Sequence, residues 1–168
     1  MLPDPLHPAV VHFPIAIAAL VPFAALLAVL AIRAGWVPAR AWLAVVLLQA
    51  LLAGSAWLAV ETGEDQEEKV EDVVGERHIH DHEEAAERFL YLAIAAGLVS
   101  ATGLVAGRWG GIGRAATVAA AAVALAAGVW VGHSGGELVY RHGAASVYVD
   151  QAKADRPVSA APRRDDGD

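Results

Sequence analysis

The sequence predicts an all-α integral membrane protein, an antiparallel four-helix bundle with a charged helical hairpin extending from its external face. Three observations predict this. Hydrophobic residues make up 57 % of the 168 and the mean hydropathy is +0.45, above the roughly 45–50 % apolar content usual for soluble domains. The excess is gathered into four uncharged blocks, 10–32, 41–60, 89–107 and 115–132. At about 1.5 Å of rise per residue, each is long enough for a hydrocarbon core of about 30 Å. Finally, the blocks lack the polar stripe that a water-soluble bundle needs along every helix.

In chain order, the flank "MLPDPLHP" has no Lys or Arg, and the apolar run after it is too long for a signal peptide core, so block 10–32 reads as the first span. "RAGWVPAR" (33–40) and "GRWGGIGR" (107–114) are the Gly-, Trp- and Pro-bearing turns expected at a membrane interface. The connector 61–88 is long and highly charged. After the fourth block, the paired glycines of "HSGGELVYRHG" are expected to end the helix. Residues 144–168 read as a polar, disordered tail following the four-span domain 1–143.

Charge sets the orientation. In an antiparallel bundle Arg33, Arg40, Arg108 and Arg114 fall on the side of the short turns without a single acid. All 19 acids and all seven His fall on the other side with the remaining eight cations, leaving formal charges of +4 and −11. Short basic turns are retained in the cytoplasm. The acidic, His-rich face and both termini are therefore expected outside, in the periplasm of a bacterial inner membrane. There is no basic surface for nucleic acid. With no Cys, disulfides, thiolate metal sites and Cys nucleophiles are excluded.

The chemistry-bearing residues collect at the outer ends of the spans. His12 lies about one turn into span one and His133 ends span four, at similar depth. Axial ligation of haem iron is one role for such a pair, and a hydrogen bond to a backbone carbonyl freed by Pro8 or Pro14 is the other. In "GERHIHDHEE", His78 and His82 are four apart and share a helix face if span three starts early, while His80 points elsewhere. Glu61, Asp65, Glu68 and Asp72 follow one another at steps of four, three and four, a stripe able to face them. Imidazole with carboxylate suits zinc, iron or manganese. The alternative is a solvated hairpin held by pairs such as Glu84 with Arg88. Glu137, Tyr140, Arg141 and His142 follow Gly135 and Gly136, where a sharp return would bring His142 toward His12 and His82. Within the blocks, Gln49, Ser55, Ser100, Thr102 and Thr117 are the polar side chains. None ionises, which disfavours a pump. Small faces such as Gly97 with Ala101 serve close helix packing. No Ser-His-Asp spacing, phosphate loop or dinucleotide fingerprint occurs, so no enzymatic activity is assigned.

"LHPAVVHFPIAI", "TGE" after span two, "HEEAAE" before span three and "GHSGGELVYRHG" after span four resemble the bacterial four-span membrane proteins catalogued as domain of unknown function 2231, over residues 6–143. The resemblance implies a four-helix membrane bundle. It also implies redox company, since some relatives are joined to cytochrome c-like modules, but no settled activity. Its motif histidines match His7, His12, His82, His133 and His142, leaving His78 and His80 outside.

Motifs and threading together lead to the expectation of haem b, or a divalent transition metal (zinc, iron or manganese), bound at the external face. His12 with His133 or His82 is the expected axial pair. His7, Glu61, His78 and His142 complete the candidate metal ligands. One-electron exchange with a quinone or a cytochrome would follow, in the lipid bilayer, with a homo-oligomer left open. The competing expectations are a metal-handling or sensing protein, a membrane scaffold that recognises a partner, and an enzyme with a mononuclear or dinuclear site.

Overall fold

The computed structural model describes residues 5–154, and among these all regular structure is helical. α1 is a single turn, His7–Val10, and α2 runs His12–Arg33. A short 3-10 turn, Ala39–Trp42, leads into α3, Leu43–Val74. α4 is Glu76–Thr102, α5 Gly107–Tyr140 and α6 Ala144–Ala154. Four stretches are long and apolar enough to cross a membrane: His7–Arg33, Ala39–Val74, Glu76–Thr102 and Gly107–Tyr140. Their outward faces carry large apolar side chains. Phe13, Phe23 and Leu98 are each more than 60 % exposed, a surface suited to lipid rather than water.

The helices differ from the sequence expectation mainly in length. Segment 61–88, expected as a charged helical hairpin, is helical on both sides of Gly75. α3 continues to Val74, whose successor Gly75 has φ +86, and α4 starts at the next residue. Only glycine takes that conformation without strain, so the chain reverses there in one residue. Gly135 and Gly136 do not end α5. That helix runs on to Tyr140, and the turn comes at Gly143, φ +77. Residues 144–154, expected as tail, are helical instead, and 155–168 lie outside the described residues.

α2 and α4 each pack against both α3 and α5. The central cluster is Ala18, Val21, Leu52, Ala56, Phe89, Ala93 and Ala121. Alanine dominates because apolar surface gains little by leaving lipid, so close backbone approach and van der Waals contact must hold the helices together. At the turn end, Ala25, Trp42 and Val45 form a second cluster, and the Trp42 Nε1–H donates to the Ser100 carbonyl at 2.9 Å. α5 meets the end of α4 nearly backbone to backbone. A Cβ on Gly113 would stand 2.8 Å from the Gly103 nitrogen.

Polar atoms in this core find local partners, with one exception. Ser55, Ser100 and Thr117 bond back to carbonyls of their own helices. The Gln49 amide is fully buried, and neither its nitrogen nor its oxygen has a hydrogen-bond partner. Leaving a buried amide unpaired costs about 1–3 kcal/mol. Gln49→Leu is therefore expected to raise stability by an amount of that order, read as a higher unfolding midpoint in detergent.

Candidate functional site

A cavity of about 720 Å³ opens where α1, the charged half of α3, the start of α4, the end of α5 and α6 come together. Its size falls within the roughly 300–1,000 Å³ typical of small-molecule and cofactor sites. Much of the wall is apolar, including Val70, Ile79, Leu138 and Val149, while Glu64, Glu67, Glu83 and Glu87 also contribute to it. α6 forms one side. Tyr148 donates its hydroxyl to Gln66 Oε1 at 2.7 Å, tying α6 to α3, and the Gly143 turn lets α6 fold back to that position.

His7 and His82 both line this cavity, in the polar segments flanking the uncharged blocks. His7 Nδ1 lies 2.9 Å from the Ala59 carbonyl, and a carbonyl only accepts, so Nδ1 carries the proton. His82 Nδ1 lies 2.8 Å from Ser134 Oγ, whose own proton goes to the Val131 carbonyl at 3.0 Å. With the hydroxyl proton on that carbonyl, Ser134 accepts and His82 Nδ1 donates. In that arrangement both neutral rings have an Nε2 lone pair to offer. This is how ligating histidines are oriented, one ring nitrogen anchored and the other offered.

Glycine makes room for both rings. A Cβ on Gly63 would stand 3.2 Å from His7 Cε1, and one on Gly135 would stand 3.0 Å from His82 Cε1. Burial, with a smaller contribution from the charge of nearby His7, pushes His82 down to a pKa of about 4. His7 is lowered too, by burial, against the opposing pull of the Ala59 carbonyl. Both changes favour the neutral, electron-donating ring. Burial pushes Glu83 up to about 6, helped by its hydrogen bond to Glu67 and by the charges of Glu67 and Glu64, with His80 opposing.

The other candidates do not line the cavity. The expected pairing of His12 with His133 is not seated there. His12 lies two residues before Pro14 in a helix whose buried positions are Pro14, Ala18, Val21 and Ala25, about 200° round from them, and it is exposed. His133 is likewise two residues from both Val131 and Gly135. It is exposed, with Nε2 3.8 Å from Glu137 Oε1. Glu61 is exposed. His142 turns toward α4 as expected, but meets His78 rather than His82: the two rings stack with centroids 3.8 Å apart and planes 25° apart. Glu84 does pair with Arg88. Among the described residues, no group of three or more His, Asp or Glu is placed to hold a metal ion. Sequence reasoning also missed Ser134, Gly63, Gln66 and Tyr148. The first two had a signal, since Gly63 sits in "TGE" and Ser134 in "HSGG".

No protein-family model matches the chain, and neither the curated proteins nor the solved structures contain a match to it. The likeness to the four-span family therefore stands on the motif residues alone, and the function is argued from the cavity.

Proposed function

We propose that the chain is a multi-pass protein of the bacterial inner membrane, an antiparallel bundle with its His-rich face in the periplasm, that binds haem b through His7 and His82. The observation that carries this is the pair of anchored imidazoles, each with an unengaged Nε2, in one partly apolar cavity of cofactor size. A bare zinc ion needs about four protein ligands. A haem brings its own ring nitrogens and asks the protein for one or two axial donors, which suits a site with two imidazoles and no third ligand grouped with them.

Bound haem would supply one-electron chemistry. The chain's contribution is to hold both rings in one tautomer, keep them neutral, and shield the cavity with α6. The basic turns at Arg33, Arg40, Arg108 and Arg114 support the cytoplasmic assignment of the opposite face. A quinone in the bilayer or a cytochrome outside would be the redox partner.

Gentle detergent extraction followed by optical spectroscopy and elemental analysis tests this. A Soret band with iron stoichiometric to the chain is expected. Colourless protein rich in zinc would move the assignment to a metal-handling site, and protein with neither would favour a scaffold. Gly135→Ala is expected to displace the His82 ring by a few tenths of an ångström and reduce haem occupancy in the same assay. Gly136→Ala, where a Cβ meets nothing within 4 Å, should leave occupancy unchanged.

A further inference from the structure

A second cavity, of about 390 Å³, lies between α2 and α5 at the end of the bundle away from His7 and His82. Its polar wall is cationic: Arg33 from α2, Arg108 and Arg114 from α5. Its apolar wall includes Val29, Ile32 and Ile112. Three guanidiniums around one small groove repel one another unless an anion sits among them, and among the described residues no acid lines it. No Asp or Glu occurs between Asp4 and Glu61, or between Glu87 and Glu137. Two of the three also have a protein partner. Arg114 Nη1 donates to the Gly103 carbonyl at 2.8 Å, leaving its other nitrogens over, and Arg108 lies over the Trp109 ring at 5.0 Å. Planar guanidiniums match phosphate oxygens as bidentate donors.

We infer that this groove, framed by Arg33, Arg108 and Arg114 over an apolar floor, binds the phosphate of an anionic phospholipid whose acyl chains lie along α2 and α5. Phospholipid is favoured over free phosphate because the floor beneath the arginines is apolar and continues into exposed Leu30 and Ile112, 52 % and 51 % accessible. Basic pockets between membrane helices on the cytoplasmic side are where anionic headgroups bind. The site rests on the membrane placement of the helices and is independent of the haem cavity.

The full chain, incorporated into nanodiscs containing phosphatidylglycerol and phosphatidylcholine, is released into the gas phase, and retained lipid is counted by native mass spectrometry. Preferential retention of phosphatidylglycerol by the unaltered protein is expected. Each arginine removed should weaken it about fivefold, so Arg33→Gln with Arg108→Gln reduces it by roughly 25-fold. Arg40→Gln, outside the groove, should leave it unchanged. Arg114 is kept in both variants because it also holds the Gly103 carbonyl. Equal retention of the two lipids by the unaltered protein would overturn the proposal without recourse to any variant. So would an unchanged preference in the double variant, or inorganic phosphate binding as tightly as the lipid.

Discussion

His82→Ala is expected to abolish the Soret band of the purified protein, and His7→Ala to do the same or leave a weakly held, five-coordinate haem. His12→Ala and His133→Ala should leave the spectrum unchanged. The contrast is the largest effect that the proposed haem site predicts, because the imidazoles divide into two kinds. His7 and His82 have Nδ1 fixed by Ala59 and Ser134 and share one cavity, whereas His12 and His133 are exposed outside it. If haem binds as proposed, deleting either ring would remove one of its two protein donors, and no neighbouring ring is placed to replace it. His78 and His142 are stacked on each other rather than lining the site. Absorbance normalised to protein, measured on all four variants extracted in parallel, checks the division.

Trp42→Ala is expected to destabilise the fold by about 3–5 kcal/mol, the range for emptying a large aromatic site. Trp42 is fully buried where the first turn of the chain meets α3 and α4. Its indole packs so closely on Gly103 that a Cβ there would stand 2.8 Å from Cε2. In lipid the apolar transfer gain is small, so the loss comes chiefly from the cavity left in the packing and from the lost indole bond to Ser100. Trp42→Phe, which keeps most of the volume, should cost only the hydrogen bond and a smaller void, about 1–2 kcal/mol. Denaturant titration in mixed micelles separates the two. A bundle stabilised only by its alanine faces would show little difference between them.

The four apolar stretches were legible because a missing charge over some twenty residues leaves little else for the chain to do. The way polar residues meet was not legible, and particular residues show why. Pairing His7 with Ala59, or His82 with Ser134, joins positions 52 residues apart. Which of several nearby histidines reaches the interior then turns on helical phase. A shift of two residues, as between His12 and Pro14, reverses the face. The glycines were ambiguous for a related reason. Gly135 was expected to end the helix or to let another element approach, and it does the second, as clearance for the His82 ring, whose identity only the fold supplies. A charged helical hairpin was legible in 61–88, but where each helix ends within it was not. Fourteen helical residues precede Gly75 beyond the second apolar block, and their polar faces supply part of the cavity wall.

Electron paramagnetic resonance of the oxidised, detergent-extracted protein tests the central claim most directly, that two anchored imidazoles from α1 and α4 converge on one bound group. A low-spin ferric signal characteristic of two imidazole ligands, lost in His7→Ala and in His82→Ala alike, is the predicted result. Protein without any haem signal after expression with ample iron and haem precursor would contradict it, as would a bis-imidazole signal that survives both substitutions.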